Sequence, residues 1–93
     1  MEFEWDDTKA EANNRKHGVT FTEAMTVFAD PLSLTGYDPV HSQDEDRFVT
    51  MGLSDNNRLL VISHTDRGDK VRIISARVAS RSECKEYEDG NIP

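Results

Sequence analysis

Arginine is the residue type in this chain that offers the most chemistry. Arg72 and Arg77 lie in segment 70–87, where a β-branched run passes into a helical pattern. A guanidinium can hold a phosphate through two parallel hydrogen bonds and stabilise the charge that builds up on it during phosphoryl transfer. The alternative for each is an ordinary ion pair with one of the eighteen acidic residues, and for Arg72 both interpretations stay open.

Four more side chains are candidates for a site. Arg47 follows an acidic run, which favours a simple ion pair, and the predicted strand register sets it opposite His64, a group able to titrate near neutral pH. His41 lies beside Ser42 in a predicted loop, where a solvated histidine is the alternative. Tyr87 has a hydroxyl within reach of a ligand, although packing is the commoner use of a tyrosine.

No cofactor motif accompanies these residues. The three histidines lie far apart in the sequence, Cys84 is alone, and the five glycines are scattered singly. Neither a metal-ligand spacing nor a phosphate-binding glycine loop is present, so we expect chemistry without a metal or nucleotide cofactor.

Length and charge limit the kind of protein. Ninety-three residues predict one domain, 1–93, and the absence of an apolar run or a signal peptide predicts a cytoplasmic protein. The net charge of −7 divides into −8 for residues 1–57, +4 for residues 58–85 and −3 for the remainder. A basic patch on an acidic body suits a polyanion or an acidic partner segment.

The N-terminal half predicts two helices. A short strand around Phe3 and Trp5 is followed by a helix over Thr8–His17, with Thr8 and Glu11 as a capping box. Thr20 and Glu23 start a second helix, which ends before Asp30. Its core stripe repeats at helical spacing and consists of Phe21, Ala24, Met25 and Phe28. An edge strand near Leu32 and Leu34 and an exposed loop over residues 36–46 come next.

The C-terminal half predicts an antiparallel meander. Strands near 47–53, 58–65 and 70–77 precede a helix that Ser80 and Glu83 cap. Four-residue turns set Leu53 opposite Arg58, Met51 opposite Leu60 and Val49 opposite Ile62, and Ile62 opposite Ile73. One face then collects Val49, Met51, Leu53, Leu60, Ile62, Val71 and Ile73 for the helices to cover. The other face collects Phe48, Thr50, Gly52, Leu59, Val61, Ser63, Arg72, Ile74 and Ala76.

Several motifs in order resemble one family. They are W-D-x-x-K-A-x-x-N-x-x-K-H-G-V-x-F over residues 5–21, V-F-A-D-P over residues 27–31, His41-Ser42, Arg47, and R-I-I-S-A-R over residues 72–77. Together they resemble the BrnT family of bacterial toxins across nearly the whole chain. One departure is Asp7, where the family often has proline, and it affects only the first helical position.

The resemblance implies a fold, an activity and partners. It implies a compact α+β, RelE-like domain, with two N-terminal helices on one face of an antiparallel sheet and a C-terminal helix. It implies a type II toxin, a ribonuclease that stops translation, and a BrnA-type antitoxin that binds operator DNA and forms a hetero-oligomer with the toxin. We expect metal-free cleavage of RNA by attack of the 2'-hydroxyl on the adjacent phosphate. Arg72 and Arg77 would stabilise charge, while His41, His64 or Tyr87 would move protons.

Two other functions remain open at this stage. The acidic net charge fits a binding module that holds an antitoxin and modulates operon repression without catalysis. A DNA-binding domain is less favoured, because no helix in the sequence is rich in cations.

Overall fold

A five-stranded sheet organises residues 1–90, the part of the chain that the computed structural model describes. The helices are α1 (Asp7–His17), α2 (Phe21–Thr26) and α3 (Arg81–Asp89), and a 3-10 turn (Val27–Ala29) follows α2. The strands are β1 (Glu2–Glu4), β2 (Leu34–Tyr37), β3 (Arg47–Leu53), β4 (Leu59–Arg67) and β5 (Lys70–Val78). The predicted α+β class, with two N-terminal helices and a C-terminal helix, is confirmed.

The strand order is β1-β5-β4-β3-β2, so β2 to β5 form the predicted antiparallel meander. β1 adds a parallel edge beside β5, with Phe3 opposite Val71. A parallel neighbour requires a long crossover connection, and here that connection contains both N-terminal helices and three strands. The sheet is therefore mixed at one edge.

Local capping chemistry fixes the helix ends. Asp6 is the N-cap of α1 and its carboxylate accepts the Lys9 N–H, so the predicted capping box at Thr8 is wrong by two residues. Thr20 caps α2 as predicted. Ser80 and Glu83 form the complete predicted capping box of α3. Gly18 ends α1 with a φ of 67°, which favours glycine.

The core lies between the two N-terminal helices and one face of the sheet. The predicted stripe on α2 is confirmed, because Phe21 and Ala24 are buried and Met25 and Phe28 pack against the core. The sheet contributes Leu60, Ile62, Ile73 and Ala76 to the same cluster. Asn13 joins α1 to this face, since its amide exchanges hydrogen bonds with both backbone groups of Ala76.

The predicted β3–β4 register is wrong by one residue. Leu53 pairs with Leu59, Gly52 with Leu60, and Thr50 with Ile62. The connection contains five residues, 54–58, and Asn57 adopts the left-handed conformation, with a φ of 58°, that an asparagine tolerates. Because side chains alternate, Val49, Met51 and Leu53 lie on the face away from α1 and α2, and Phe48, Thr50 and Gly52 lie on the helix side.

A shorter turn and a bulge together account for the second register error. Ile62 pairs with Ala76 instead of Ile73. Two of the three positions come from the turn, which contains only Gly68 and Asp69 because Arg67 pairs with Lys70. The third comes from a register shift between Ser63 and His64, which leaves Ile74 as the extra residue. Ile73 and Ala76 consequently both face the helices, so the predicted placement of Ala76 on the opposite face is wrong. The prediction is correct for four residues on the helix side, Leu60, Ile62, Val71 and Ile73. It is also correct for five residues on the opposite side, which we call the open face: Leu59, Val61, Ser63, Arg72 and Ile74.

Candidate active site

A cleft of about 550 Å³ lies on the open face. Its floor comes from the middle of β3, β4 and β5, where small and β-branched side chains leave room above the sheet. One wall is the β2 end with the following loop, and the other is the start of α3. The lining residues are Gly36, Tyr37, Asp38, Pro39, His41, Arg47, Val49, Val61, Ser63, Ile74, Ser75, Arg77 and Glu83.

Hydrogen bonds join the two ends of the loop that forms this wall, residues 38–46. The Asp38 N–H donates to the Arg47 carbonyl at 2.9 Å, which extends the β2–β3 pairing by one step. The Ser42 hydroxyl accepts the Arg47 N–H at 2.8 Å and donates to the Asp38 carbonyl. The predicted loop is therefore present, but it begins at Asp38 and not at residue 36, because Gly36 and Tyr37 belong to β2. It is fixed at both ends, so His41 has a defined position over the cleft.

An aspartate orients that histidine. His41 Nδ1 lies 2.8 Å from Asp38 Oδ2, and Asp38 Oδ1 accepts the N–H of Val40. The hydrogen bond from His41 lowers the pKa of Asp38, so the carboxylate stays ionised. A carboxylate on Nδ1 favours the tautomer with its proton there, which leaves the Nε2 lone pair free to accept a proton. Sequence analysis missed Asp38, although its D-x-x-H spacing in a loop is the signal that could have identified it.

Arg47 is the least committed arginine at the cleft. Its Nε is buried and has no hydrogen-bond partner among the described residues. The nearest carboxylate oxygen, from Glu45, lies 3.9 Å from Nε, which is too far for a hydrogen bond. The ion pair with the acidic run that the sequence favoured is therefore loose, and the guanidinium can still bind an anion.

Arg77 lines the same cleft, but its donors are in use. Its two terminal nitrogens donate to the two carboxylate oxygens of Glu83 at 2.7 and 2.8 Å. This pairing raises the pKa of Arg77 and lowers that of Glu83 to about 2. Glu83 thus fixes the position of Arg77 in the cleft and balances its charge in the free protein.

Arg72 does not line the cleft. It lies on the open face opposite Thr65, which in turn is opposite Arg47, so a whole strand separates the two arginines. Its Nη1 donates to Glu4 Oε2 on β1 at 2.9 Å. The parallel β1 strand supplies this carboxylate, and the ion-pair alternative for Arg72 is the one seen.

His64 and Tyr87 also lie apart from the cleft. His64 is buried on the helix side, where Nε2 is 2.7 Å from the Thr50 hydroxyl. Its predicted position opposite Arg47 is wrong, because the corrected register puts Thr65 there and pairs His64 with Phe48. The Tyr87 hydroxyl donates to Asp30 at 2.6 Å, and burial together with that carboxylate raises its pKa to about 12.

Residues 1–90 contain neither a metal-ligand cluster nor a membrane-spanning helix. No group of three His, Cys, Asp or Glu side chains in this part of the chain is arranged to hold a metal ion. No helix in the same range is long and apolar enough to cross a membrane.

Comparison with known proteins decides the family. The family model described as "Ribonuclease toxin, BrnT, of type II toxin-antitoxin system" matches residues 5–83. The chain belongs to the BrnT family. A BrnT toxin is a ribonuclease of a toxin-antitoxin pair, so an antitoxin partner follows from membership. A comparison with curated proteins gave no match.

A solved BrnT structure confirms the fold. The crystal structure of the ribonuclease toxin BrnT from Brucella abortus matches with a TM-score of 0.64 and 21% sequence identity. The match covers 87% of this chain and 99% of the Brucella chain. At this identity the likeness supports the fold, and the roles of individual residues have to be argued from the site itself.

Proposed function

We propose that this chain cleaves RNA in the open-face cleft without a metal ion, and that Arg47, His41 and Arg77 carry the reaction. One observation supports this most directly: an uncommitted arginine and a histidine oriented by a carboxylate line the same cleft. A phosphate ligand and a proton acceptor are the two groups that attack by a ribose 2'-hydroxyl requires.

The proposed reaction proceeds by internal attack. His41 Nε2 takes the proton of the 2'-hydroxyl, whose oxygen attacks the adjacent phosphorus. The bond from phosphorus to the 5'-oxygen breaks, and that oxygen takes up a proton from water, giving a 2',3'-cyclic phosphate and a 5'-hydroxyl. Asp38 stabilises the imidazolium that forms, as a carboxylate does in a His-Asp pair. Arg47 binds the phosphate oxygens, and Arg77 adds charge stabilisation from across the cleft.

The test is cleavage of total RNA by the purified, antitoxin-free chain in EDTA. Arg47→Ala should reduce the rate about 100-fold or more, the cost of removing a donor from a developing oxyanion. His41→Ala should reduce it by about 10²–10⁴, the usual contribution of a general base. Arg72→Ala and His17→Ala are matched controls outside the cleft, and both should cleave at nearly the original rate.

Three results would contradict parts of this proposal. Cleavage that EDTA abolishes and Mg²⁺ restores would contradict metal independence. Loss of activity in Arg72→Ala but not in Arg47→Ala would indicate that the phosphate is bound by Arg72, the arginine that the sequence first indicated. Failure of the chain to cleave RNA or arrest growth would favour the non-catalytic binding module.

The partner is proposed to be a BrnA-type antitoxin that binds operator DNA and brings the toxin to it. Membership of a type II system supports a protein antitoxin. The isolated chain should not bind the operator, because its net charge is −7 and two cations of the open face, Arg47 and Arg77, lie in the proposed RNA site. Gel-shift assays with the chain alone and with the complex test this, and tight operator binding by the chain alone would contradict it.

A further inference from the structure

The free edge of β2 borders the cleft and is unpaired. The Asp38 N–H bond to the Arg47 carbonyl fixes which β2 residues bond to β3. Because bonded and non-bonded pairs alternate in an antiparallel ladder, Leu34 and Gly36 bond inward. Thr35 and Tyr37 therefore direct their N–H and C=O groups away from the sheet, and no backbone partner for them exists among residues 1–90.

This edge lacks the charged residues that commonly protect a sheet edge against strand addition. Sheet edges are commonly protected by charged residues or very short strands, and β1 at the opposite edge has both, with Glu2 and Glu4 in three residues. The β2 sequence L-T-G-Y carries no charge. Exposed apolar side chains flank it, since Leu32, Tyr37 and Val40 are 69%, 53% and 72% exposed.

We propose that an extended segment of the antitoxin adds to the sheet along β2, bonding to Thr35 and Tyr37, and thereby closes the cleft. This inference rests on the proposed function, because it concerns the antitoxin and the cleft of the same site. Gly36 and Tyr37 line the cleft, so an added strand beside them would form a wall over Arg47 and His41. Strand addition would then bind and neutralise the toxin in one step.

The open face indicates which side chains such a segment should carry. Residues of an added strand that lie opposite Leu34 and Gly36 point to the open face, about 10 Å from β3 at two strand spacings. A Glu or Asp there reaches Arg47, whose Nε has no hydrogen-bond partner. A second copy of this chain fits less well, because residues 32–37 would supply no carboxylate. The inferred occupant therefore alternates acidic residues with apolar or small ones.

The test compares Thr35→Pro with Thr35→Ala. Both variants lose the hydroxyl bond between Thr35 and Thr50, but only proline removes the outward N–H, and an edge strand tolerates proline at such a position. The cognate antitoxin, isolated as the product of the adjacent gene, should bind Thr35→Pro about tenfold or more weakly than Thr35→Ala. Both variants should still cleave RNA, because Thr35 is not part of the cleft. Equal affinities for the two would overturn the inference.

Hydrogen exchange of the original chain covers the case in which proline prevents folding. The Thr35 and Tyr37 amides should exchange rapidly in the free toxin and slow at least about tenfold in the antitoxin complex. Unchanged exchange in the complex would overturn the inference. Since binding is measured without RNA, a toxin that binds through β2 yet fails to cleave RNA would contradict the proposed function alone.

Discussion

His64 is a titratable side chain enclosed by the core. Its ring packs against Phe28 at 5.0 Å and Phe48 at 6.1 Å between centroids, and Nδ1 has no hydrogen-bond partner among residues 1–90. Burial lowers its pKa from 6.5, and the charge of Asp66 opposes that shift only partly. The folded state therefore favours the neutral imidazole, whereas the unfolded chain protonates it freely near neutral pH.

Folding stability should consequently fall as the pH drops below about 6.5. The stabilising effect is complete above the unfolded pKa and is lost on acidification, because the unfolded state then binds a proton that the folded state excludes. Denaturant unfolding at pH 8, 6.5 and 5 measures this dependence. His64→Gln should flatten it, and an equally steep dependence in the variant would assign it to other groups.

The arginines show what the sequence could not predict at this scale. The cleft is lined by arginine and histidine, the residue types that the sequence indicated. Which arginine is free depends on distant partners: Glu4 reaches Arg72 only because β1 pairs in parallel with β5. Asp38 was missed because its role depends on the closed geometry of the loop, which Ser42 fixes.

The helix α3 contributes polar contacts but no buried residue. Its capping box at Ser80, the Arg77–Glu83 ion pair and the Tyr87–Asp30 hydrogen bond attach it to the sheet. Asp30 also accepts the backbone N–H groups of Leu32 and Leu53, so it joins three parts of the chain. A helix held in this way is expected to open more readily than the core.

Tyr87→Phe should destabilise α3 without stopping the reaction. Loss of one hydrogen bond to a carboxylate costs about 1–3 kcal/mol. With a pKa of about 12, the hydroxyl keeps its proton near neutral pH and is a poor base. Amide exchange in α3 should accelerate while RNA cleavage persists. A variant that folds normally but no longer cleaves would make the hydroxyl part of the site.

At the scale of elements, boundaries could be predicted from the sequence but pairing could not. Caps and apolar periodicity located all three helices and three of the strands to within two residues. The β4–β5 turn is two residues shorter than predicted, and the register also failed at two places where one residue changes the side-chain parity, the left-handed Asn57 and the bulged Ile74. Neither has a sequence signal as strong as an Asn-Gly turn, and each transfers side chains between faces.

The whole molecule combines an acidic net charge with a cleft that holds two arginines. The chain carries −7 overall, yet Arg47 and Arg77 both line the cleft, and Glu83 neutralises Arg77 in the free protein. Acidic surroundings would repel RNA from most of the surface, so productive binding should depend on a few phosphate contacts within the cleft. That number of contacts can be read from the effect of salt.

For single strands, the logarithm of the binding constant falls with the logarithm of the salt concentration, with a slope of about −0.7 per phosphate contact. With two arginine–phosphate contacts, KM for a short RNA should therefore rise about sevenfold between 50 and 200 mM NaCl. Arg47→Ala should lower the slope by about one contact, while Arg72→Ala should leave it unchanged. Cleavage kinetics at four salt concentrations provide the comparison. A slope that Arg72→Ala reduces instead would extend the RNA path along β5 beyond the cleft, and a KM independent of salt would exclude arginine–phosphate pairing as the source of affinity.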